Sequence, residues 1–176
     1  MATWTGTSAN DTWEGTDSAD TATGGNGNDV LFGGNGADKM YGGLWYDTLD
    51  GSYGNDLLSG GHADDVLFGG VGNDTLQGDA GWDTIFGGMG NDRIANGTGK
   101  GDISTGPGAD LVFVAAGSEV TFRDFVSGVD RIDIRAEPLT MKFSADMRSV
   151  FITTSGQEIN LFFVDDSTPV ALSDLF

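Results

Sequence analysis

Aspartate recurs every nine residues along most of this chain: Asp11, Asp20, Asp29, Asp38, Asp47, Asp56, Asp65, Asp74, Asp83, Asp92 and Asp110, with Gly101 at the one missing step. Of the 27 acidic residues, only Glu14, Glu119, Glu137 and Glu158 are glutamates. General solubility does not require that bias. A short carboxylate in a glycine-rich turn stays close to the main chain, which suits tight liganding turns. The net charge of −19 disfavours nucleic acid and anionic membranes as partners and favours cations.

Other chemistries have less support. His62 is the sole histidine and falls in a glycine-rich turn, where a solvent-facing position is expected, so no histidine-dependent triad or zinc motif is present. The carboxylates are accounted for by the ladder, and a metal-saturated aspartate is a poor general acid. No enzymatic activity is expected. There are no cysteines, hence no disulfides and no thiolate ligands. The start, MATWTGTSAND, has neither a basic stretch nor an apolar run, and nothing later approaches a membrane-spanning length.

The elements that must position the aspartates follow from the same count. From Gly6 to Phe113 the chain divides into twelve nine-residue windows without a slip of register, beginning GTSANDTWE and ending TGPGADLVF. Glycine favours the first, second and fourth positions, where it permits tight turning. The eighth position is always apolar: Trp13, Ala22, Leu31, Met40, Leu49, Leu58, Leu67, Leu76, Ile85, Ile94, Ile103 and Val112. Alternation around it, as in Asp29-Val30-Leu31-Phe32, predicts a short strand with Leu31 inward. Turn plus strand is half a coil. Two halves, 18 residues, close one coil, and coils stack because a single one buries almost nothing.

These windows, most faithful over residues 24 to 95, resemble the GGxGxDxUx nonapeptide of the RTX (repeats-in-toxin) family. The resemblance implies an all-β fold, a right-handed parallel β-roll of two short parallel sheets with 18 residues per coil, closed by a C-terminal β cap or hairpin. It implies a roll over residues 1–113 and a capping region over 114–176. It further implies that carbonyls of the second and fourth positions join the sixth-position carboxylate around Ca²⁺. The residues so assigned are Gly25, Gly27 and Asp29, then Gly34, Gly36 and Asp38, then Gly43 with Asp47, Gly54 with Asp56, and Gly61 with Asp65. Along the rest of the ladder they are Gly70, Gly72 and Asp74, Gly81 with Asp83, Gly88, Gly90 and Asp92, and Gly106, Gly108 and Asp110. Roughly six to ten ions are expected, enough to cancel most of the negative charge. Without them, carboxylates about 5 Å apart repel by about 3 kcal/mol per pair at an effective dielectric of 20. Calcium at about ten times its dissociation constant returns about 1.4 kcal/mol per site, so folding is expected to be gated by calcium.

Departures from the repeat carry their own expectations. Asp29, Asp47, Asp65 and Asp83 belong to one column of turns, here the odd column; Asp38, Asp56, Asp74 and Asp92 belong to the other, the even column. The odd column has Ala9, Trp45 and Ala63 at the fourth position, so weaker or missing ions are expected beside Trp45 and Ala63 and in the first two windows. In NGTGKGDIS, Asp102 stands one place late. Leu44, Trp45, Tyr46, His62 and Trp82 gather in odd-column turns. With the outward Val30, Phe32, Val66, Phe68 and Phe86 they suggest a covered face: by the chain's own C-terminal segment, by self-association or a protein partner, or by polysaccharide on an aromatic strip of Trp45, Tyr46 and Trp82.

Beyond Phe113 the period stops, and Asp124, Asp130 and Asp133 resemble family positions near the cap, where one further ion is conceivable. SVFITT and EINLFFV, separated by SGQ, read as a hairpin. The end, LSDLF, is similar to the uncleaved signal read by type I secretion machinery in Gram-negative bacteria, which implies an extracellular protein whose folding outside the cell depends on calcium. A binding module and an adhesin or surface-layer piece are the competing readings.

Overall fold

In the computed structural model, residues 1–126 and 129–133 are described in full, together with the backbone strands Leu139–Phe143, Ser149–Thr154 and Gln157–Phe163. The described residues form an all-strand parallel solenoid of about seven turns with no helix. Strands stack in two columns at a constant offset of 18 residues. One runs Thr21↔Lys39, Lys39↔Leu57, Leu57↔Thr75, Thr75↔Arg93 and Arg93↔Leu111; the other runs Thr12↔Val30, Val30↔Thr48, Thr48↔Val66, Val66↔Thr84 and Thr84↔Asp102. Each strand needs only three residues because its partners above and below supply both sides of its hydrogen bonding.

The core is a line of eighth-position side chains. Every one from Ala22 to Val112 is fully buried, with Trp13 at the first coil stacked on Trp4. The seventh and ninth positions point outward, as in Val30 and Phe32, and Phe68 stacks on Phe86 with centroids 4.9 Å apart on the outer face.

Stacking outlasts the sequence period. Glu119–Phe122 pairs in parallel with Thr98–Ser104 at an offset of 19, and Arg131–Asp133 pairs with Leu111–Phe113 at an offset of 20. Val120, Phe122 and Ile132 thereby continue the buried line. One or two extra turn residues abolish a nine-residue count without disturbing the strand that follows. The predicted hairpin is present: Ser149–Thr154 pairs antiparallel with Gln157–Phe163, and Leu139–Phe143 adds to it. Gln157–Phe163 also pairs in parallel with Glu119–Phe122, which covers the edge of one strand column. The terminal LSDLF lies outside the described residues.

Candidate metal centre

From Asp29 to Asp92, and again at Asp110, each turn presents one buried aspartate whose two oxygens have different surroundings. The Oδ1 atom accepts the main-chain N–H of the aspartate one coil earlier. Asp29 Oδ1 receives Asp11 N at 2.8 Å, Asp47 Oδ1 receives Asp29 N at 2.8 Å, and Asp65 Oδ1 receives Asp47 N at 2.8 Å. The even column repeats this through Asp38, Asp56, Asp74, Asp92 and Asp110 at 2.7–2.9 Å. The Oδ2 atom has no partner. Nine such oxygens, on Asp29, Asp38, Asp47, Asp56, Asp65, Asp74, Asp83, Asp92 and Asp110, are buried and unpaired. An isolated buried carboxylate oxygen costs free energy that a native structure normally recovers through a partner.

What surrounds those oxygens is main chain. Among the described residues no three His, Cys, Asp or Glu side chains converge on one point, because within a column the carboxylates come one per coil, about 4.8 Å apart. A cation held here must therefore draw its other ligands from backbone carbonyls, which favours a hard, oxygen-seeking ion. The first-position glycine, absent from the sequence-derived ligand set, is what makes room. A Cβ on Gly24, Gly33, Gly42, Gly51, Gly60, Gly69, Gly78 or Gly87 would lie within 2.7 Å of the Oδ2 in its own window. The same spot on Gly24 is 2.7 Å from the Gly42 carbonyl of the next coil. The orphan oxygen and a main-chain carbonyl thus flank the space left open at Gly24. Buried carboxylate oxygens without a partner, in turns that also present carbonyl oxygens, fit Ca²⁺.

The profile of the RTX calcium-binding nonapeptide repeat (4 copies) matches residues 14–44, 47–76 and 63–94. The repeat segment is an RTX array. Among solved structures, the chain is similar to an extracellular lipase, LipA, from Serratia marcescens, at 17% identity and a TM-score of 0.47, over 92% of this chain and 38% of that one. It is also similar to the AlgE6R3 subunit of the Azotobacter vinelandii mannuronan C5-epimerase, at 20% identity and a TM-score of 0.28, over 97% of this chain and 80% of that one. The chain therefore spans well under half the length of the lipase. No curated protein sequence matches it.

Fourth-position glycines of the even RTX column, Gly36, Gly54, Gly72 and Gly90, have φ of 132–151°, a region closed to side chains. In the odd column the fourth-position glycines Gly27, Gly81 and Gly99 have φ of 110°, 159° and 121°, whereas Trp45 and Ala63 replace glycine at φ of 80° and 78°, the left-handed region that other residues reach at a cost of about 1–2 kcal/mol. We expect Ala63→Gly to raise the melting midpoint in saturating calcium by about 2–4 °C, the release of left-handed strain being partly offset by greater unfolded-state entropy. Differential scanning calorimetry checks it; a lowered midpoint would contradict the strain argument.

The second-position glycines Gly25, Gly34, Gly43, Gly61, Gly70, Gly88 and Gly106 turn at φ of 89–121°. The Gly34 carbonyl accepts Tyr53 N at 3.0 Å, and Ser52 at the same position accepts Val71 N at 2.8 Å, so each keeps one lone pair. Gly27 and Gly81 also turn at positive φ, and a Cβ on Gly108 would stand 1.7 Å from the Gly90 carbonyl oxygen.

The first two windows are built otherwise. Thr7 and Thr16 stand at their second positions, and each donates its N–H and hydroxyl to the Oδ2 of Asp11 or Asp20. Protein groups do there what is left undone elsewhere. Asp102 faces outward in an ion pair with Arg123. Asp124 accepts N–H groups of Thr105 and Gly106, and Asp130 accepts those of Asp110 and Val126, so near the cap these carboxylates pin the chain. His62, Trp45, Tyr46 and Trp82 are exposed, and the Lys100 ammonium lies 5.3 Å from the Trp82 ring centroid.

Burial pushes the ladder carboxyls up, to about 8 for Asp65, about 7 for Asp56 and Asp110, and about 6 for Asp47, Asp74 and Asp83. Asp29, Asp38 and Asp92 rise for the same reason. Asp20 moves the other way, to about 2, held down chiefly by the Thr16 hydroxyl. The direction of each shift follows whether Oδ2 has a partner.

Proposed function

We propose that this chain is a secreted module whose β-roll is folded and held by calcium, with no catalytic role of its own. The observation that carries the reading is the nine buried, unpaired Oδ2 atoms, one per turn in two columns. Each would join carbonyls of the second and fourth positions, and of the first position of the adjoining coil, around one Ca²⁺. In a low-calcium interior the carboxylates repel and the chain stays open; at millimolar calcium the turns fill and the strands stack. Export by type I machinery in an unfolded state, followed by folding outside a Gram-negative cell, agrees with this order of events.

Isothermal titration calorimetry of the intact chain tests it. We expect six to nine calcium ions, limited by the number of orphan oxygens, and at least one ion fewer in Asp65→Ala. Absence of binding at millimolar calcium, or an unchanged count in a folded Asp65→Ala, would overturn the reading.

A second reading has its own observation: Trp45, Tyr46 and Trp82 are each more than half exposed on the turns of one column. Large exposed aromatic rings on one column of turns suit a polysaccharide or a protein partner. Glycan arrays with Trp45→Ala and Trp82→Ala distinguish a binding module from a purely calcium-folded one.

A further inference from the structure

The window NGTGKGDIS breaks the repeat twice: Gly101 removes the sixth-position carboxylate and Asn96 replaces the first-position glycine. The structure makes these a single exchange. Asn96 is fully buried, and its Oδ1 lies 1.5 Å from where a Cβ on Gly101 would stand, so its amide fills the space the carboxylate leaves. Both amide atoms, Oδ1 and Nδ2, are buried and without a partner, as no other neutral side chain in the two columns is. At the same level Asp83 has a buried, unpaired Oδ2, and that Oδ2 and the main-chain carbonyl oxygen of Asn96 both lie within 2.6 Å of the Cβ position of Gly78. Gly101 pairs with Asp83 in register, which places the exchange directly on the last turn of the odd column.

We infer that Asn96 is a calcium ligand: its amide oxygen takes the place of the missing carboxylate and, with Asp83, completes the terminal site of the odd column. This rests on the calcium-binding reading above. The amide contributes an oxygen without a charge, so this site is weaker than it would be with an aspartate at position 101, because affinity in all-oxygen sites rises with the number of charged ligands. A neutral ligand at the end of the column also ends the stack of negative charge there. The geometry forbids having both groups, since a side chain on Gly101 would occupy the amide's place.

Calorimetric calcium titration of the intact chain, run beside circular dichroism, tests the assignment with Asn96→Ala and with the exchange variant Asn96→Gly/Gly101→Asp. Asn96→Ala is expected to bind one ion fewer than the wild type while keeping the remaining sites. The exchange variant restores the ordinary window, and is expected to bind the same number as the wild type with the site at Asp83 tightened about tenfold. A folded Asn96→Ala with an unchanged count would overturn the inference. Should Asn96→Ala fail to fold in calcium, the exchange variant decides: an equal count supports Asn96 as a ligand, and one additional ion shows that the wild-type site does not bind. A wild type that takes up no calcium would instead remove the reading on which the inference rests.

Discussion

Freed of calcium, the chain is expected to keep its sheet spectrum near pH 4.5 and to lose it as the pH rises from about 6 to 8. Asp47, Asp74 and Asp83 titrate at about 6, Asp56 and Asp110 at about 7 and Asp65 at about 8 in the folded roll, against 3.8 unfolded, because burial disfavours their charged forms. A raised folded pKa means that the folded state binds more protons than the unfolded one. The stabilisation is therefore complete below about pH 3.8 and disappears as the pH passes through each folded value. Protons and calcium satisfy the same orphan oxygens. It follows that the calcium midpoint of folding moves to higher concentration as the pH falls, while the metal-free chain becomes more ordered. Asp20, lowered to about 2, has the opposite sign: its contribution is present above 3.8 and is lost as the pH falls toward 2, so the first coil is expected to loosen only in strong acid. Far-ultraviolet circular dichroism in calcium-free buffer from pH 2 to 8 measures both limbs. A metal-free sheet signal that is flat from pH 4.5 to 8 would mean that the ladder carboxylates are not desolvated.

Gly54→Ala is expected to destabilise the calcium-bound roll by about 3 kcal/mol or more, adding a forbidden-φ cost to an overpacking cost. The Gly54 φ is 140°, and a Cβ there would stand 1.4 Å from the Gly36 carbonyl oxygen of the coil before. Backbone cannot yield as a side-chain tip would, so the coils must part, and Asp38 and Asp56 would lose their 2.8 Å pin. The same substitution already exists at Ala63 in the odd column, where φ is 78°. Urea unfolding in saturating calcium separates the cases: Gly54→Ala well below the wild type, Ala63→Gly slightly above it. Equal stability of wild type and Gly54→Ala would show that the turn relaxes freely.

Much of the architecture was legible in the sequence because one nine-residue unit encodes turn, ligand and strand together. Position eight gave the core line from Trp13 to Val112, and position six gave the aspartate columns. The coil through Val120 and Ile132 was hidden, because its offsets of 19 and 20 break the count while the strand partners remain. The division of labour between Oδ1 and Oδ2 was hidden too, since a letter D does not say which oxygen is already used. Nor did the letters show that Thr7 and Thr16 satisfy Asp11 and Asp20, a substitution visible only as Thr at the second position. The Asn96 and Gly101 exchange did leave a signal: two departures in one window, at the two positions whose side chains compete for one space. Asp102, one step late in the same window, takes no part in the exchange and pairs with Arg123.

The central proposition is that unpaired oxygens stacked in two columns make the roll conditional on a hard divalent ion. The most direct measurement is sedimentation velocity with circular dichroism at pH 7.5, first in chelator and then in 2 mM calcium. In chelator an expanded, sheet-poor chain is expected, contracting to a compact β-rich particle on adding calcium, whereas magnesium at the same concentration leaves it expanded. A compact, sheet-rich particle that is indifferent to chelation would contradict it.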